Sequence, residues 1–140
     1  MLYFFIFVLR SFTFIQASIY VYTNFTNPEI ADGSIDKPFT NLSIALIKSI
    51  SLSDPQILLS PGDVYSDVVE DVLLSSALQI KLASGGLSPF IKLNSGIIRV
   101  KNQVKFENIV FSRANISKNE NAFIVEKDGL LTFLVYFFLN

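Results

Sequence analysis

Apolar and polar side chains alternate along Ile98 to Glu107. Ile98, Val100, Val104 and Phe106 fall on one side, and Arg99, Lys101, Gln103, Lys105 and Glu107 on the other. Period two is the mark of a strand, or of two strands across a bend, with one face buried and one wet. Asn102 falls on the apolar parity. A buried amide without a partner costs a few kcal/mol, roughly, so Asn102 is expected in a bend where backbone groups satisfy it. After Asn108 the parity shifts, because Ile109 and Phe111 now belong with the core, and a turn is predicted at Asn108.

Other segments read the same way. Ile19 to Tyr22, Ile57 to Leu59, Val72 to Leu74, Leu78 to Ala83, Phe90 to Leu93, Ala122 to Val125 and Leu130 to Leu139 are all expected to be extended. Ser60-Pro61-Gly62-Asp63 is a tight turn, with proline presetting one dihedral and glycine permitting a positive one. Only one stretch has helical spacing. After Thr40 or Asn41, either of which can cap, Leu42, Ala45, Leu46 and Ser49/Ile50 recur at three-to-four intervals. A one-sided helix of about three turns is predicted there, stopped by Ser53-Asp54-Pro55. Residues 23–38 carry the Asn, Asp, Gly, Ser and Pro of a loop.

Residues 89–100 and 122–133 resemble each other. Phe90, Ile91 and Gly96 match Phe123, Ile124 and Gly129, and Ile97 and Ile98 match Leu130 and Leu131. The offset of 33 residues lies in the range of stacked repeats, and each copy has the form strand, glycine turn, strand. Stacked β units share one continuous core and need neither disulfide nor metal. The helix is then expected to cap the first unit, with one face inward and the other in water.

Composition narrows the chemistry. Half of the residues are hydrophobic (51%) and 16% are charged, which excludes a disordered chain. The net charge of −1, with no basic run, argues against nucleic acid. Cysteine and histidine are both absent. Thiolate chemistry, disulfides and the commonest general base are therefore excluded. The apolar run from Leu2 to Leu9, followed by Ile15-Gln16-Ala17, outlines a secretory signal over residues 1–17; an N-terminal strand or uncleaved anchor is the alternative. Three Asn-x-Ser/Thr triplets, at Asn24, Asn41 and Asn115, are candidate N-glycosylation sites and agree with export.

In order along the chain come Tyr20-Val21-Tyr22, the loop Asp32 to Phe39, and the helix from Leu42. Ile57-Leu58-Leu59 then leads into Pro61-Gly62 and Tyr65, and Val104 to Phe111 follows with Asn108 inside it. This series resembles the N-terminal part of the pectin-lyase-like, right-handed parallel β-helix proteins. The resemblance implies a single-stranded parallel β-helix of three to four coils. Its expected divisions are a leading strand, loop and capping helix over 18–56, and coils over 57–140 that are cut short after the apolar run Leu130 to Leu139. Such an edge is expected to associate with a second copy.

Enzymes of this fold carry Asp, Arg or Lys clusters on the outer face of their middle coils, and no such cluster stands in the regular strands here. Asp63, Asp67, Glu70 and Asp71 lie close in sequence but lack the spacing of a calcium loop, and read as an acidic turn. Ser84-Gly85-Gly86 lacks the Lys-Ser/Thr of a phosphate loop, and Ser75-Ser76 lacks a base. No catalytic residue, cofactor or metal is expected. Arg99, Lys101 and Lys105 share an outward parity and form a candidate glycan-facing basic strand; a solvated face is the plainer reading. The expected function is a non-enzymatic secreted or cell-surface protein with a structural, adhesive or glycan-contacting role. The alternative is the leading fragment of a polysaccharide lyase or glycoside hydrolase whose catalytic coils lie beyond residue 140.

Overall fold

Asn41 starts the single α-helix among the described residues, α1 (Leu42–Ser49). Its Oδ1 accepts from the Ile44 backbone N–H at 3.1 Å, satisfying a donor that the first turn leaves over. Leu42, Ala45, Leu46 and Ser49 form the buried face, as their spacing predicts. The helix is shorter than expected, because Ile50 ends it and turns carry the chain on to Asp54, which has a positive φ of 49°. The structure, a computed structural model, describes residues 16–68, 71–94, 97–113 and 122–139. Most of the candidate leader, Glu70, Gly96 and Asn115 lie outside the described residues.

The rest is mainly β. The strands are β1 (Ser18–Val21), β2 (Gln56–Leu59), β3 (Val64–Val68), β4 (Val72–Leu74), β5 (Leu78–Leu82), β6 (Phe90–Leu93), β7 (Ile98–Val100), β8 (Gln103–Arg113), β9 (Phe123–Val125) and β10 (Leu130–Leu139). Every ladder between these strands is parallel. The larger sheet runs β1-β2-β5-β8-β6-β3, with β10 on β8, and the smaller runs β4-β7-β9. Tight turns join strands that do not pair with each other. Thus β2 is followed by β3 and β4, and the chain returns to lay β5 beside β2. Parallel partners need such an intervening excursion, whereas antiparallel ones could have used the turn itself.

The large sheet curls at one residue. The first half of β8 pairs with β5, with Leu78 opposite Val104, and its second half pairs with β6, with Phe90 opposite Val110. Asn108 lies between the halves at φ 56°, in the left-handed region that asparagine tolerates better than most residues. The parity slip predicted there is real, but its cause is a kink within a continuous strand instead of a turn between two. The bend at Asn102 is also present. Its side chain is exposed, and its Oδ1 accepts from the Gln103 N–H at 2.7 Å.

Register builds the core. Ile19, Ile57, Ile80, Phe106 and Phe133 are successive ladder partners. All but the half-buried Phe133 are buried. Four rings close this column. Phe106 stacks on Phe133 at 5.5 Å, and its centroid lies 5.1 Å from Phe111 and 5.8 Å from Phe123. The 33-residue repeat is not the stacking unit. Phe90 faces Val110, Ile98 faces Phe123, Val104 faces Leu131 and Ile19 faces Ile57, so the spacing between partners varies from ladder to ladder and is 33 in none of these. The two similar segments share a local strand–turn–strand form, not a ladder position.

The outer edge of β1 is closed by a loop. Tyr20 N–H donates to Gly33 O at 2.8 Å, Phe39 N–H to Tyr20 O at 2.9 Å, and Tyr22 N–H to Phe39 O at 2.8 Å. Gly33 has φ 86°, and the Phe39 ring occupies the space a Cβ would need, so only glycine fits there.

Tyr65 ties the loops to the sheet. Its buried hydroxyl donates to Val21 O at 2.7 Å and accepts from Ser60 N–H at 3.0 Å. Ser60 N–H also reaches Val21 O at 3.2 Å, so these two groups retain each other if the hydroxyl is removed. Tyr65→Phe is therefore expected to cost only about 1 kcal/mol in urea unfolding, the lower range for a hydrogen bond. Burial pushes the Tyr65 phenol above its ordinary value. From about pH 10 the unfolded tyrosine loses its proton while the folded one keeps it, so the folded state binds more protons and stability falls as pH rises. That alkaline fall should be shallower in Tyr65→Phe. Tyr22, also raised by burial, leaves a remainder of the same sign. An unchanged alkaline slope would show that the phenol is not buried.

Candidate functional site

Parallel register lines up outward residues as strictly as inward ones. Ser18, Gln56, Gln79, Lys105 and Thr132 are successive partners across β1, β2, β5, β8 and β10. They form one polar column on the side opposite the isoleucine and phenylalanine column. Beside it run Tyr20, Leu58, Lys81 and Glu107, of which Leu58 is buried.

At the Lys105 end the column borders a shallow groove of about 340 Å³, walled by Gln16, Asp54, Gln79, Gln103, Lys105 and Thr132. Glu107 organises the two central side chains. Its Oε2 accepts from Gln79 Nε2 at 3.0 Å and from Lys105 Nζ at 3.1 Å. The Lys105 hydrogen bond holds the Glu107 carboxyl below its usual range, so it stays an acceptor at neutral pH. Farther along, Gln56 Nε2 donates to Ser18 Oγ at 2.7 Å, while Gln56 Oε1 is buried with no partner among the described residues. This surface offers amides, two hydroxyls and one neutralised charge pair. It can hydrogen-bond a hydroxyl-rich ligand.

The candidate basic strand is divided. Arg99 lies on β7 in the small sheet, 3.7 Å from Asp71; Lys101 is exposed in the bend; and Lys105 lies on β8 in the large sheet. Only Lys105 borders the groove. The alternation that grouped them is broken at Lys101–Asn102, where the chain changes sheets.

The acidic residues have separate structural tasks. Asp63 Oδ2 accepts from Thr23 N–H at 2.9 Å, Asp67 Oδ2 from Ser43 N–H at 2.8 Å in the first turn of α1, and Asp71 Oδ1 from Ile97 N–H at 3.1 Å. Among the described residues no group of three or more carboxylates could hold a metal ion. These partners are remote in sequence, which is why the residues read as one acidic turn. Asn24 is exposed in a turn, and Asn41 is half-buried as the helix cap.

Among the described residues no helix is long and apolar enough to cross a membrane. Comparison with protein-family models, curated proteins and solved structures finds no match to this chain.

Proposed function

We propose that this chain forms the leading coils of a secreted, right-handed parallel β-helix of the pectin-lyase-like kind, and that it serves as a non-enzymatic glycan-contacting surface. The supporting observation is the polar column Ser18–Gln56–Gln79–Lys105–Thr132 bordering a groove on an all-parallel sheet. Stacked amides and hydroxyls at the strand repeat of about 4.8 Å suit the evenly spaced hydroxyls of an extended polysaccharide. Lys105 adds a cation for a uronate or sulfate group. The three sequons and the apolar leader fit passage through the secretory route.

The test is titration of the full chain with two oligosaccharide probes of equal length, one a neutral glucan and one a polyuronate. Binding of either is expected to weaken at least tenfold in Gln79→Leu and in Thr132→Val. Only the uronate should respond to Lys105→Gln. Affinities unchanged by all three variants, or no binding of either probe to folded protein, would overturn the reading.

A further inference from the structure

We infer a second docking surface, between α1 and β4, built to take an extended peptide that carries branched aliphatic and basic side chains. It is distinct from the polar groove and does not depend on the glycan reading.

Three independent features meet there. The first is an open strand edge. Strand β4 is the terminal strand of the small sheet; among the described strands it pairs with β7 alone, and α1 packs beside it. Val72 N–H donates to Ile97 O at 2.9 Å, and Leu74 O accepts from Lys101 N–H at 3.0 Å, so these two residues turn their backbone groups toward β7. Backbone groups of alternate residues in a parallel strand point to opposite sides. The N–H and C=O of Leu73 therefore point to the open edge, where no described strand meets them. An edge of this kind binds extended peptides by strand addition.

The second feature is an apolar floor. A groove of about 410 Å³ lies along this edge, lined by Ile47 and Ile50 of the helix and by Val72 and Leu73. The helix was expected to turn one face inward and the other to water; Ile47 on the outer face is 65% exposed, Ile50, which the spacing grouped with the inward residues, is 39% exposed, and Leu73 is 43% exposed. A strand laid on β4 would bring alternate side chains onto this floor.

The third feature is charge. Asp67 and Asp71 line the same groove. Asp67 Oδ2 and Asp71 Oδ1 each accept from a backbone N–H, which leaves each carboxylate a second oxygen without a backbone donor among the described residues. Arg99 stands off Asp71 Oδ2 at 3.7 Å, with both side chains well exposed. A loose exposed pair of this kind stabilises little and yields readily to a better-placed cation. An anionic partner would meet two carboxylates, so the peptide that fits is cationic.

The probe is a fluorescent, end-blocked hexapeptide of alternating lysine and isoleucine, titrated into the full 140-residue chain and read by anisotropy. Ile47→Lys changes a side chain mostly in water, so the variant should keep its circular dichroism and its urea midpoint. Binding is expected to fall at least tenfold in Ile47→Lys, and to fall again when glutamate replaces lysine in the peptide. Methylating the backbone nitrogens of the peptide's central residues, with side chains unchanged, should also reduce binding at least tenfold. Equal affinity for the methylated peptide would overturn strand addition. Equal affinity of Ile47→Lys, or no binding to folded protein at millimolar peptide, would overturn the site itself.

Discussion

Phe106→Ala is expected to destabilise the fold by about 3–5 kcal/mol, the range for removing a fully buried aromatic ring. Phe106 is 2% exposed and meets three other rings, at centroid distances of 5.1 to 5.8 Å. Parallel register also places it in the middle of a column, between Ile80 and Phe133. The cavity therefore opens between two layers, where neither neighbour can collapse without shifting its own strand. Phe106→Leu, which keeps most of the volume, should lose appreciably less. Urea unfolding of the three proteins measures both differences. A loss under about 1 kcal/mol for the alanine variant would mean that the rings do not pack as a cluster.

Gly129→Ala should be the most damaging single-methyl addition. A Cβ at Gly129 would fall well inside contact distance of the Val100 carbonyl oxygen. That oxygen is fixed, because it accepts from Glu126 N–H at 2.8 Å. Gly129 N–H in turn donates to Glu126 O at 2.9 Å, and Leu130 N–H to Asn102 O at 3.1 Å, so neither strand can swing aside without losing backbone bonds. Overpacking against mobile side chains costs about 1–3 kcal/mol. Here the obstacle is backbone, and the upper end of that range is expected, with amide exchange rising along β9 and β10 ahead of the rest. Gly85→Ala is the control, since a Cβ there meets nothing within 4 Å. If the two substitutions prove equally mild, the close approach of these turns is absent.

These two residues also show what could be read from the chain and what could not. Local chemistry was legible. The Asn41 cap, the buried face of α1 and most of the strands follow from spacing within a few residues. The alternation in Ile98 to Glu107 marked one strand or two across a bend, and two are present, β7 and the start of β8. Strand β3 was harder to see, because Ser66 and Asp67 interrupt its apolar residues. Glycine at 129 was noticed for its freedom to bend, but its φ is not positive, and its value lies in what comes near it.

Partner choice was not legible. Apart from β1 and β2, the next strand in space is not the next in sequence, and the distance to it depends on how many residues each excursion uses. Ile57 meets Ile80, but Val104 meets Leu131, so no single period marks the ladder. The polar column is hidden for the same reason. Gln79 and Thr132 each look like ordinary strand residues, and only the Lys105 between them makes them neighbours. Asp67 is similar: its partner Ser43 is 24 positions away, so no local signal could distinguish a helix anchor from a solvated carboxylate.

The Gly33–Phe39 closure over β1 gives the stack a direction. A parallel ladder would otherwise accept a foreign strand at either rim, which is how fibres grow. Here the leading rim has already spent its Tyr20 and Tyr22 amides on its own chain. While that latch holds, a second copy consequently cannot extend the large sheet past β1. Releasing it, as Gly33→Val would, should turn a protected boundary into a nucleus for assembly.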